Sequence, residues 1–213
     1  MKKLKIGISS CLLGESVRFN GEHKRNPTVI DLLGQRFEAV PVCPEVELGM
    51  GVPREPVRLV GSNMRMAGES SNPYQKVPPG ISKAPPPRVV VRMVVAESGK
   101  DWTEAMAGFN SKNLESLRQQ NLSGFIFKSR SPSCGPGQVP LHHEQSGEKS
   151  STEGLFARAL MKHFPSLPVI DEETLQDEIA REGFIACVLQ HGEEFSGESG
   201  KREHTGKNEG GSV

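Results

Sequence analysis

Short apolar runs alternate along the chain with stretches of helical periodicity, and this alternation restricts the fold more than any other feature. Lys5–Ser9, Glu38–Val42, Arg88–Val95, Gly124–Lys128 and Leu167–Ile170 read as strands. Thr28–Arg36, Trp102–Gln120, Gly154–His163 and Leu175–Gln190 read as helices. Their ends carry the expected punctuation. Pro27 precedes the first, Asp101 and Thr103–Glu104 open the second, and the third stops before Pro165. The last helix should bury Leu175, Ile179, Phe184, Ile185, Val188 and Leu189. Strands separated by helices imply an α/β fold with a mostly parallel sheet and right-handed crossovers. In such sheets the loops at the carboxyl ends of the strands gather on one edge, where ligands bind.

With 213 residues the chain can bury one core, expected over residues 1–191. The abundance of Gly (23) and Pro (16) beside a hydrophobic content of only 35% calls for loop-rich or unstructured parts as well. Two segments fit that description. Gly61–Pro87 is rich in Pro, Ser and Gly and reads as a flexible insertion, and residues 192–213 read as a disordered polar tail. Lys and Arg (26) balance Asp and Glu (26), so overall charge favours neither stable nucleic-acid binding nor an anionic membrane surface. No apolar run approaches the roughly 20 residues of a membrane span. The start MKKLKIGISSCLLG reads as a first strand and not a signal peptide, being broken by Gly7, Ser9 and Ser10. A cytoplasmic monomer is the expectation.

Four cysteines are too few for a disulfide scaffold at this length, and in a reducing compartment they remain thiols. Cys11, Cys43 and Cys134 each follow a predicted strand, and each sits beside chain-bending residues: Gly14, Pro44, or Pro132 with Gly135. One topological rule therefore brings three sulfurs to the same edge. Three thiolates around a cubane cluster would leave one iron without a protein ligand, a Lewis acid with affinity for soft sulfur. Spacing alone leaves other readings open. The three can be small packed side chains, or zinc ligands completed by His23, His142 or His143. Cys187, within the last predicted helix, reads as a packing residue, and His142–His143 as a surface loop.

The segments KIGISSCLLGESVRFNGEHKRN, PVCPEVELGMGVPREPVRL, GKDWTEAM, SGFIFKSRSPSCG and GLFARAL together resemble the thiouracil desulfurase family. The resemblance spans residue 4 to about 190, apart from the Gly61–Pro87 insertion. It implies a Rossmann-like domain and a [4Fe–4S] cluster on Cys11, Cys43 and Cys134. It also implies a non-redox activity: removal of sulfur from thiouracil or a related thiopyrimidine base, nucleoside or nucleotide, releasing hydrogen sulfide. The family's acidic catalytic residue matches Glu45, and its catalytic serine matches Ser131, with Ser133 as the alternative. The run PGQVPLHHEQSGEKSS departs from the family pattern. Two other functions remain open at this stage, an iron–sulfur or zinc regulatory module and an enzyme transferring sulfur to tRNA. Arg54 and Glu55 are expected to form an ion pair within the GVPRE loop, and His23, Lys24 and Arg25 a solvated basic group.

Overall fold

Alternation in β5 (Leu122–Phe127) shows how the core is divided. This strand is buried along its whole length, as befits a central strand of a parallel sheet covered on both faces. Phe125 and Phe127 point to one side, where their rings pack 4.3 Å apart and against Phe156. Ile126 points to the other, into a cluster with Ile6, Ile8 and Val188. The computed structural model describes residues 3–63 and 89–201.

The main sheet has the order β2–β1–β5–β8, with β1 (Leu4–Ser9), β2 (Phe37–Val42) and β8 (Val169–Asp171) all parallel to their neighbours. Helices α1 (Pro27–Arg36) and α5 (Glu178–Lys201) cover one face, while α3 (Thr103–Gln120) and α4 (Leu155–His163) cover the other. Asn26 caps α1 by accepting from the Val29 amide, ahead of Pro27. The α/β architecture with a mostly parallel main sheet is as the alternation implies.

A second sheet was not apparent in the sequence. Its order is β4–β3–β6–β7, formed by β3 (Val57–Asn63), β4 (Val89–Val95), β6 (Val139–His143) and β7 (Lys149–Thr152). β4 pairs antiparallel with β3 and so does not join the main sheet. Leu59, Met93 and Leu141 share a row and face the core of Phe125 and Phe156. Gly61–Asn63, expected to begin the insertion, extend β3; the rest of that segment lies outside the described residues.

Four local expectations need correction. His142 and His143 are in β6, not in a loop. The last helix runs Glu178–Lys201 and not Leu175–Gln190, and the remaining tail residues lie outside the described residues. Its buried face is Phe184, Ile185 and Val188, whereas Ile179 is 84% exposed. Nine residues separate Ile179 from Val188, two and a half turns, which puts them on opposite sides. Cys187 is likewise exposed and is not a packing residue. Among the described residues no helix is long and apolar enough to cross a membrane.

Phe125 is fully buried at the junction of both sheets' packing. Phe125→Ala should lower unfolding free energy by about 3–5 kcal/mol in urea titration. A loss below about 1 kcal/mol would mean that this aromatic cluster is not the core described.

Candidate active site

The main sheet reverses its strand order between β1 and β5: the chain goes from β1 outward to β2, then returns to lay β5 on the other side. Such a switch point leaves a crevice at the carboxyl ends of the strands. A cavity of about 330 Å³ lies there, lined by Ser9 to Cys11 after β1, Cys43 to Glu45 after β2, and Lys128 to Cys134 after β5. Cys11, Cys43 and Cys134 all face it.

Each cysteine is held by its own short device. Cys11 is in a single 3-10 turn, Ser10–Leu13, closed by Gly14 in the left-handed region at φ 101°. The Lys24 amide donates back to the Cys11 carbonyl at 2.8 Å. Cys43 precedes α2 (Pro44–Glu47), one helical turn, and its amide donates to Glu47 Oε1 at 2.8 Å. Cys134 ends a turn that Ser131 organises, the Ser131 hydroxyl accepting from the amides of Ser133 and Cys134.

The Ser131 turn is clamped from beneath by the start of α4. Leu155 donates to the Pro132 carbonyl, and Phe156 and Ala157 to that of Ser133. This approach needs Gly154, where a Cβ would stand 2.5 Å from the Ser133 carbonyl oxygen. At the end of β5, Ser9 Oγ accepts from the Lys128 amide at 2.9 Å. Beside it Glu172, at the end of β8, takes the Ser129 amide, the Ser129 hydroxyl and the Lys128 ammonium. A buried carboxylate with this many donors is a rigid support.

Burial dominates the electrostatics of the thiols. It pushes Cys11 up to about 11, with Cys43 reinforcing and Lys128 opposing. Burial also raises Cys134, opposed by a hydrogen bond from Ser9 and reinforced by Cys11, Glu45 and Cys43. Cys43 is raised for the same first reason, against the pull of the Val46 amide. Cys11 thus feels Cys43, and Cys134 feels both of the others, while Cys43 answers to Glu45, Arg54 and Glu47. Burial outweighs the nearby cations Lys128 and Arg54 and favours the protonated thiols; a bound cationic centre would drive the protons off.

Glu45 is buried and both its oxygens are engaged. Arg54 donates to Oε2 through Nη2 at 2.6 Å and Nε at 3.0 Å. Ser133 Oγ donates to Oε1 at 2.5 Å and stands 3.1 Å from Ser131 Oγ. Two expectations are thereby sharpened or corrected. Ser133 touches Glu45, whereas Ser131 shapes the turn and lines the cavity. Arg54 pairs with Glu45 and not with Glu55, which instead accepts from Ser98. The signal for this was the tight run Gly49–Pro53: Gly49 and Gly51, both at positive φ, turn the chain so that residue 54 returns to residue 45.

Among the described residues, no three His, Cys, Asp or Glu side chains converge as they would around a single metal ion. His142 and His143 line a separate groove with Arg58 and Arg92 on the second sheet. His23, Lys24 and Arg25 are exposed, with Lys24 reaching the cavity rim. Three sulfurs from three strand ends around one cavity form a soft donor set.

Fold and cavity define a class, α/β proteins with a thiol-lined crevice at the switch point of a parallel sheet. The sequence model of the 2-thiouracil desulfurase family matches residues 6–172, and the chain belongs to that family. It is 34% identical over 172 residues to the uncharacterized protein YbbK of Bacillus subtilis (strain 168), covering 81% of this chain and 98% of that protein. Among solved structures it is similar to the [4Fe–4S]-dependent thiouracil desulfidase TudS, with a TM-score of 0.55 and 26% identity over 82% of this chain and 94% of that one.

The clamp beneath the Ser131 turn makes a direct prediction. Gly154→Ala forces backbone against backbone and should lower the thermal midpoint by several degrees, about 1–3 kcal/mol. An unchanged melting curve would show that α4 does not hold this turn.

Proposed function

We propose that this protein is a [4Fe–4S]-dependent desulfidase that converts a thiopyrimidine and water into the oxo-pyrimidine and hydrogen sulfide. One observation carries the reading: Cys11, Cys43 and Cys134 line the same cavity as the buried pair Glu45 and Arg54. The kinship with TudS supports it, because that protein is described as [4Fe–4S]-dependent and acting on thiouracil. The three cysteines would hold the cluster, and the burial of Cys11 and Cys134 restricts access to it.

When bound by three thiolates, such a cluster supplies an iron free to take a soft sulfur ligand. The chain's own residues supply positioning and protons. Glu45 accepts the proton of a water that adds to the thiocarbonyl carbon. The C–S bond breaks as the sulfur leaves at the sulfide level, so no electron donor or acceptor is required. Ser133 couples Glu45 to Ser131 through two hydroxyl contacts, and Ser131 presents a hydroxyl to the substrate at the cavity wall. A pyrimidine is compact and planar, and the cavity's volume suits a ligand of that size. The substrate is a small thiopyrimidine, as base, nucleoside or nucleotide.

Anaerobically reconstituted protein should release sulfide from a panel of thiopyrimidines. Glu45→Gln should retain the brown colour of the cluster and lose turnover by about 10²–10⁴-fold. Cys43→Ala should lose colour and turnover together, while Cys187→Ala, on the exposed side of α5, should lose neither. A protein that binds iron and sulfide but releases none from any thiopyrimidine would be a regulatory module instead. Full turnover in Glu45→Gln would remove the assigned base.

A further inference from the structure

The Glu45 carboxylate lies in α2, a helix of a single turn that offers little rigidity of its own. Its side chain is only 11% exposed, and its ion-pair partner Arg54 only 7%. Arg54 spends four hydrogen bonds in two directions. Nε and Nη2 go to Glu45 Oε2, while Nη1 goes to the Val17 carbonyl at 3.0 Å and the Gly51 carbonyl at 2.9 Å. Its backbone amide donates to the Phe19 carbonyl at 2.8 Å. One residue thus ties the carboxylate to the Val17–Phe19 stretch of the cavity wall and to the Gly51 turn. Ser133 holds the second carboxylate oxygen.

We infer that Arg54 is a positioning residue for the desulfidation reaction: its guanidinium fixes the Glu45 carboxylate and braces it against the Val17–Phe19 wall. This inference rests on the catalytic reading of Glu45 given above. The fork geometry matters as much as the charge. A planar guanidinium can serve one carboxylate oxygen and two carbonyls at once, whereas a lysine ammonium on a flexible stem cannot reproduce all three directions. Releasing the carboxylate misaligns a base whose efficiency depends on distances of an ångström. Arg54 also borders the cavity, so removing its side chain leaves a site that free guanidinium can enter from solution.

The experiment compares Arg54→Ala, Arg54→Lys and Glu45→Gln in reconstituted protein, with turnover expressed per iron–sulfur cluster and a thiouracil as substrate. Arg54→Ala should lower kcat about 10- to 100-fold with KM changed little, and added guanidinium chloride should restore kcat saturably. Arg54→Lys should lower kcat in the same manner and gain nothing from guanidinium, because the lysine fills the site. Should Arg54→Ala fail to fold, Arg54→Lys is read alone: reduced kcat at steady KM supports the inference, and full turnover overturns it. Unchanged kcat in Arg54→Ala, a loss expressed in KM alone, or a kcat loss that guanidinium does not repair would each overturn it. If Glu45→Gln itself keeps full turnover, the catalytic reading of Glu45 fails, whatever Arg54 does. If Glu45→Gln is inactive and Arg54→Ala is not, only the present inference fails.

Discussion

The parallel pairing of β1 with β5 is the constraint on which the site depends. Gly7 lies opposite Phe125 and Ile8 opposite Ile126, which brings the end of β1 level with the end of β5. Ser9 then meets the Lys128 amide, and the loops carrying Cys11 and Cys134 leave the sheet side by side. Gly7 permits the pairing because the Phe125 ring occupies the volume a Cβ would need, 2.3 Å away. The two cysteines belong to opposite cores, Cys11 with Ile6 and Ile8, Cys134 with Phe125 and Phe156. Only beyond the sheet's edge can side chains from both faces meet.

Around the cavity, buried charges are paired by strict local rules. Glu45 has Arg54 and Ser133, and Glu172 has Lys128 and Ser129. Burying such groups costs free energy that hydrogen bonding offsets only when nearly every donor and acceptor is used. The reward is a carboxylate with few alternative positions. The thiols differ. Burial raises the Cys11 and Cys134 thiols more than neighbouring groups lower them, so a soft cationic partner is what would favour their thiolates.

The main sheet was legible because its strands are β-branched and its helices periodic, and the three cysteines because each follows such a strand. The second sheet was not. β6 and β7 are short, with Pro140 and two histidines in one and Lys149 and serines in the other, so their pairing comes from tertiary contact and not from propensity. The partner of Arg54 was hidden for another reason. Glu55 is adjacent in sequence, but adjacent residues in an extended loop point apart, while the Gly49 and Gly51 turns fold Arg54 back onto Glu45. The roles of Ser131 and Ser133 depend on hydroxyl directions two residues apart, which no pattern encodes. Strand-end topology and family likeness both pointed to the cysteines, Glu45 came from the likeness alone, and all four line one cavity.

The most direct test is an anaerobic crystal structure of the reconstituted protein, with anomalous scattering recorded at the iron edge. The account predicts one iron–sulfur core in the cavity, bonded to Cys11, Cys43 and Cys134, with one iron lacking a protein ligand and open towards Glu45. Iron bound elsewhere, a single zinc ion, or three unbonded thiols in protein that nonetheless releases sulfide would contradict it.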